Sequence, residues 1–275
     1  MTVRLGVVKL GNLGTSRYID LLLDERADRD IYTRVVGTGT KLGEPEADEA
    51  VAKILEFKPQ LAIVISPNGA LPGPTKAREA IKAAGVPTIA ISDNPMAKVK
   101  DDLKAKGLGF FIIKCDSMIG ARRQFLDPTE MILFNADITK VLADTGVARL
   151  IQKELDRCIE EIAAGKAPTL PQIVIDHEKA VAAAGYQNPY AKAKAIAAFA
   201  AAEKVGDLDL LGCFMQKEAD QYIVTVAAAH ELLRAATKLC DEAREIEKGN
   251  NTILRTPHAN EGKVLMKTAL LAKPE

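Results

Sequence analysis

The chain has 275 residues, of which 48% are hydrophobic and 27% charged, and its 37 Lys plus Arg balance 37 Asp plus Glu. Zero formal net charge argues against nucleic acid or an anionic membrane as the main partner, because both demand a basic surplus. No stretch approaches the roughly 18 consecutive apolar residues of a membrane-spanning helix, since Lys192, Lys194, Glu203 and Lys204 interrupt even the Ala-rich region.

The opening MTVRLGVVKLGNLG reads as a first strand, not as a signal peptide, so the cytoplasm is the expected location. Its β-branched run Val3–Lys9 ends at Gly11-Asn12-Leu13-Gly14, and Thr15 or Ser16 then caps a helix whose apolar face is Ile19, Leu22 and Leu23. A second run, Thr33–Gly37, stops at Gly37-Thr38-Gly39-Thr40. A helix ending near Lys58-Pro59 leads into Leu61–Ser66, which stops at Pro67-Asn68-Gly69. Pro87–Ser92 ends at Asp93-Asn94-Pro95, and Phe110–Lys114 ends at Cys115-Asp116-Ser117. Five such runs separated by helical patterns predict crossover units and a parallel sheet buried on both faces. Right-handed crossovers bring all five carboxyl ends to one edge, where open parallel sheets bind ligands.

The second half reads as helical. Asp127-Pro128-Thr129-Glu130 starts a helix, a break near Asp144-Thr145-Gly146 divides it from another, and Gly165 and Pro168 stop the pair. Asn188-Pro189 launches the Ala-rich helix Tyr190–Lys204, and a long helix from about Val224 to Lys248 carries Glu231, Arg234, Lys238, Glu242 and Glu245 on a solvated or subunit-facing side. Thr252–Thr256 and Lys263–Lys267 flank a turn, a hairpin signal. The expected architecture is α/β. A parallel-sheet domain, Rossmann-like but non-standard, spans residues 1–126; a helical bundle region spans 127–249; a small C-terminal β-hairpin spans 250–275.

Cys115, Cys158, Cys213 and Cys240 form no CxxC pair, so neither a zinc-finger spacing nor a disulfide framework is expected. His230-Glu231 opens like a zinc-protease helix motif, but the second His is missing, and His177 lies between two acids. No metal site is expected. His230, Glu231 and His258 read either as ordinary buried or surface residues or as groups reaching a cleft or subunit contact.

The GxxG at Gly11–Gly14 is half a dinucleotide fingerprint, and no acidic residue ends the second strand, so a nicotinamide dinucleotide held in the usual way is disfavoured. The turn is either simply tight or an anion site, since the first turn of a helix favours negative charge. Lys114 with Arg122 and Arg123 reads either as a solvated face or as a grip on a phosphate or carboxylate tail.

Several segments taken together resemble one family. They are Gly11-Asn12-Leu13-Gly14-Thr15-Ser16, Leu22-Leu23-Asp24-Glu25-Arg26-Ala27-Asp28-Arg29, Pro72-Gly73-Pro74-Thr75-Lys76-Ala77-Arg78-Glu79, Gly107-Leu108-Gly109, Ile119-Gly120-Ala121-Arg122-Arg123, Asn188-Pro189-Tyr190-Ala191 and Leu254-Arg255-Thr256-Pro257-His258-Ala259. In that order they resemble the coenzyme F420-dependent methylenetetrahydromethanopterin dehydrogenases of methanogenic and related archaea. The resemblance implies reversible, direct hydride transfer between 5,10-methylenetetrahydromethanopterin and coenzyme F420, a 5-deazaflavin co-substrate, in one-carbon metabolism. It also implies no metal, no flavin and a homohexamer with active sites near subunit contacts.

Such a reaction requires two rings held with the reacting carbons about 3–3.5 Å apart, and no acid or base residue is expected to be catalytic. The ligand-edge loops are expected to bind: Gly11, Asn12, Leu13, Gly14, Thr15 and Ser16 at a ring or phosphate, with Ser66, Pro67, Asn68 and Met118, and Lys114, Arg122 and Arg123 at anionic tails. Asp93 and Asp116 are read either as helix caps or as charges that stabilise the cationic oxidised pterin. The third-strand loop departs from the family pattern, so no ligand contact is carried over to Gly69 or Leu71. The competing expectations are an NAD(P)-dependent dehydrogenase and a non-catalytic oligomeric binding protein.

Overall fold

The computed structural model describes residues 2–24, 30–117, 127–259 and 263–275. The elements of the first part are β1 (Val3–Lys9), α1 (Gly14–Asp24), β2 (Ile31–Gly37), α2 (Glu44–Glu56), β3 (Leu61–Ser66), α3 (Pro72–Ala83), β4 (Thr88–Asp93), a 3₁₀ turn (Asn94–Val99), α4 (Lys100–Ala105) and β5 (Gly109–Ile113). There follow α5 (Pro128–Asp144), α6 (Val147–Ala163), β6 (Gln172–Ile175), α7 (His177–Ala184), α8 (Pro189–Leu210), a π turn (Leu211–Met215) and α9 (Ala219–Gly249).

The chain forms two compact units, residues up to Lys114 with Ile151–Ile175, and Cys115–Leu150 with Asp176–Glu275. In the first, six strands make one parallel sheet in the order β2-β1-β3-β4-β5-β6. All residues of β3, β4 and β5 are buried, which is why their middles, LAIVI, IAI and FFII, are apolar without a break. Strand β2 lies at an edge and is half exposed, with Tyr32 and Val35 in solvent, so the expectation of burial on both faces does not hold there. The sheet also has a sixth strand, β6, that the sequence reading placed within the helical region; Ile173 pairs with Phe111 and Ile175 with Ile113. Residues 151–175 accordingly group with the sheet instead of with the rest of 127–249. The start of α3 packs against the segment that leads into α2: a Cβ at Gly73 would come within 2.2 Å of the Leu42 carbonyl oxygen, so only glycine fits.

The second unit is helical. Asp127 caps α5 by accepting the Thr129 and Glu130 N–H groups at 2.6 and 3.2 Å. The expected break falls at Gly146, whose φ of +95° and close approach to the Ala180 carbonyl admit no side chain. Helix α7, capped by Asp176 through the Lys179 N–H at 3.0 Å, is an element that the sequence reading did not separate. Ala191, Ala195, Ala198 and Ala202 make the buried stripe of α8 along α9, while Glu231, Arg234, Lys238, Glu242 and Glu245 of α9 are exposed. Beyond α9 the chain doubles back through isolated antiparallel bridges, Arg255 with Lys267 and His258 with Val264.

Candidate functional site

The strand order reverses at β1. From β1 the chain crosses to β2 on one side and then returns to β3 on the other, so the crossovers diverge above the β1–β3 pair. The crevice of an open parallel sheet lies at such a switch point, outside the carboxyl ends. Two loops flank it, residues 10–13 and 67–71, and they touch. The Leu10 N–H donates to the Ile65 carbonyl at 2.9 Å. Gly11 has φ +83°, and a Cβ there would lie 2.9 Å from Cδ of Pro67 and 2.6 Å from Cδ2 of Leu42. The turn after β1 is therefore built for close backbone approach. Ser16 closes it, its N–H donating to the Leu13 carbonyl at 3.0 Å. The structure thus brings Gly11, Asn12, Leu13, Gly14, Thr15 and Ser16 together with Ser66, Pro67 and Asn68 at one edge.

This edge gathers polar groups that the rest of the sheet excludes. Thr15, Ser16, Ser66, Ser92 and Asp93 are all buried, although every core position of β3 and β4 before them is apolar or an edge Thr. Ser66 accepts the Asn68 N–H at 3.3 Å, and Asn68 Oδ1 accepts the Ala70 N–H at 3.1 Å. Asp93 accepts the Asn94 N–H at 2.6 Å and so caps the 3₁₀ turn. The helix-cap reading of Asp93 is realised. Lys9, at the carboxyl end of β1, is ion-paired with Asp20 of α1. Neither Lys9 nor Ser92 was expected as a site residue; the signal was available for Ser92, because two apolar runs, LAIVIS and PTIAIS, end alike in serine.

Lys114 directly follows β5 and is half-buried, and Asp116 and Ser117, next in the chain, are buried. Ser117 Oγ donates to the Ala202 carbonyl at 3.0 Å within the second unit. Met118, Arg122 and Arg123 lie outside the described residues. His230 packs its ring against Phe134 of α5 at 4.4 Å between centroids, and burial drives its pKa down to about 4, so the imidazole is neutral at physiological pH. Glu231 beside it is exposed, and His258 belongs to the C-terminal bridges. Burial pushes the thiols of Cys158 and Cys240 up to about 11 and about 12, so neither is a thiolate nucleophile at neutral pH. Among the described residues no three His, Cys, Asp or Glu side chains stand together as metal donors. What the edge offers is shape, hydrogen bonds and charge around a crevice, which suits a reaction carried by the bound molecules themselves.

A family model described as methylene-5,6,7,8-tetrahydromethanopterin dehydrogenase matches residues 3–275. The chain is 58% identical to the F420-dependent methylenetetrahydromethanopterin dehydrogenase of Methanothermobacter marburgensis, over 276 aligned residues that cover all of both chains. It is likewise 58% identical, with full coverage of both, to the enzyme of that name from Archaeoglobus fulgidus. A solved structure of an F420-dependent methylene-tetrahydromethanopterin dehydrogenase, in complex with methylene-tetrahydromethanopterin and coenzyme F420, superposes with a TM-score of 0.96 at 45% identity, covering 100% of each chain.

Proposed function

The chain belongs to the methylene-5,6,7,8-tetrahydromethanopterin dehydrogenase family, and from that premise we propose that it catalyses reversible hydride transfer between 5,10-methylenetetrahydromethanopterin and coenzyme F420. The observation that carries this reading is the full-length likeness to a structure that holds both reactants.

When bound, coenzyme F420 supplies the hydride acceptor, so the protein's task is to bind, orient and exclude water. The crevice residues fit that task. Gly11, which no side chain can replace without meeting Pro67 and Leu42, seats the turn after β1 against the loop after β3 and so fixes the rim of the crevice. Asn12, Leu13, Gly14, Thr15 and Ser16, with Ser66, Pro67 and Asn68, supply hydrogen-bonding groups there. Lys114, Arg122 and Arg123, with Met118 beside them in sequence, are assigned to anionic tails. Asp93 and Asp116 are assigned to the cationic oxidised pterin, whose charge develops in the transition state.

The end of β2 argues against an NAD molecule held in the usual way. Gly37-Thr38-Gly39-Thr40 follows that strand, and the Thr38 hydroxyl is engaged with the Lys9 and Lys41 carbonyls, so no carboxylate stands where a ribose would be held. A homo-oligomer, a hexamer by the resemblance, is supported by Leu210, Phe214 and Met215, exposed together at the end of α8 and its π turn. Analytical ultracentrifugation would read a monomer if that is wrong. No helix of the described residues is long and apolar enough to cross a membrane, and the cytoplasm is the proposed location. Mixing the protein with coenzyme F420 and the methylene substrate tests the function: the deazaflavin absorbance should bleach, and a non-catalytic binding protein would leave it unchanged.

A further inference from the structure

We propose that Arg78 and Ser92 are positioning residues for this reaction, clamping the peptide unit of Gly69 and thereby fixing the loop after β3 at the rim of the crevice. The inference rests on the assignment of Ser66–Asn68 to the ligand site.

Gly69 is restrained from three sides. Its N–H donates to Ser92 Oγ at 2.8 Å, from the neighbouring strand β4. Its carbonyl accepts a hydrogen bond from Arg78 Nη1, from helix α3. Its missing side chain admits Met96, because a Cβ would come within 2.3 Å of that sulfur. The flanking peptides are tied as well: the Leu71 N–H donates to the Asn68 carbonyl at 3.2 Å, and Ser66 and Asn68 accept within the loop.

The choice of residue is informative. Arg78 is 1% exposed, and among the described residues no carboxylate bonds to it; Nη2 donates to Thr75 Oγ1 at 2.9 Å and Nε has no partner. Burying a guanidinium on neutral partners with one donor unmatched is costly, and burial does disfavour its charged form. A carbonyl in an ordinary surface loop is satisfied by water at no such cost. The arrangement makes physical sense if the gain is a loop held in one conformation before ligand arrives, since a displacement of about 1 Å near reacting groups can lower rate a hundredfold. In the sequence Arg78 stands out only as part of the Pro72–Glu79 segment that carries the family resemblance; its role becomes visible once α3 is folded beneath the loop.

The test compares Arg78→Lys, Ser92→Ala and Asn68→Ala with the parent protein, measuring kcat, both KM values, Tm and backbone amide exchange of the peptide containing residues 67–71 by mass spectrometry. Lysine keeps the charge but not the fork, and Ser92→Ala removes one hydroxyl, so a folded protein is retained in at least one of the two. The expected result is faster exchange of the 67–71 peptide without added ligand, together with a fall in kcat/KM of about tenfold or more that persists at temperatures well below Tm. Parent-like exchange in both clamp variants overturns the inference, whatever the activity. Parent-like kcat/KM in both also overturns it. Asn68→Ala reports on the site assignment separately: if it lowers kcat/KM while the clamp variants do not, the site stands and the clamp fails; if it alone is silent, the site assignment at that residue fails.

Discussion

At the scale of single residues, the crevice is defined by what cannot be substituted. Gly11 combines φ +83° with a Cβ position already occupied by Pro67 and Leu42. Gly11→Ala should therefore lower stability by about 1–3 kcal/mol and raise both KM values, read by denaturant unfolding and steady-state kinetics; unchanged values would remove the turn from the site. Asp93 has two separable roles. Asparagine can still cap the 3₁₀ turn by accepting the Asn94 N–H, but it carries no charge, so Asp93→Asn should keep Tm and lower kcat about tenfold or more if the carboxylate stabilises developing positive charge. Asp209 is a different case. Its carboxylate is buried on α8 with neither oxygen hydrogen-bonded among the described residues, and burial raises its pKa to about 8. The folded chain holds a proton there that the unfolded chain releases above the ordinary carboxyl range, so stability falls as pH rises from about 4 toward about 8 and levels off beyond. Asp209→Asn removes that dependence. Its Tm at pH 8 should exceed the parent's by about 5 °C or more, with little difference near pH 4, and parallel Tm profiles would contradict this. Residue-level roles were legible where a local rule forces the residue type, as at Gly11 or the Asp127 cap. Arg78 and Asp209 were not legible, because their meaning depends on what packs over them.

At the scale of elements, the strands buried on both faces announced themselves. LAIVI, IAI and FFII are unbroken apolar runs because β3, β4 and β5 have no solvent face. Edge strands lack that signal. β6 is four residues long and half-buried, so QIVI between Pro171 and Asp176 could not be told from a loop, and the first residues of β2, Ile31 and Tyr32, escaped for the same reason. Turns between helices were readable where glycine is required. Gly146 and Gly165 both have positive φ, +95° and +73°, but only Gly146 also has backbone where a Cβ would sit, 2.1 Å from the Ala180 carbonyl oxygen. Gly165→Ala should cost about 1 kcal/mol from backbone strain alone, and Gly146→Ala several times more because α7 must move. Equal losses in thermal unfolding would show that the contact of the α5–α6 turn with α7 contributes nothing.

At the scale of the whole molecule, residues far apart in sequence acquire one purpose through topology. The reversal of strand order at β1 is what places a turn near residue 12 against a loop near residue 68. The expectation that ligands bind at the carboxyl edge follows from the crossover rule, whereas the particular gap between β1 and β3 needed the observed strand order. At neutral pH the buried thiols of Cys158 and Cys240 stay protonated and buried His230 stays uncharged. Geometry and charge are the contribution we propose for the protein. The most direct measurement of that claim is a stopped-flow experiment with methylenetetrahydromethanopterin deuterated at the transferred position, following the deazaflavin absorbance. Direct hydride transfer requires bleaching in step with methenyl product and deuterium carried intact to reduced coenzyme F420. Deuterium washed out into solvent, or turnover with NAD(P) and none with coenzyme F420, would contradict it.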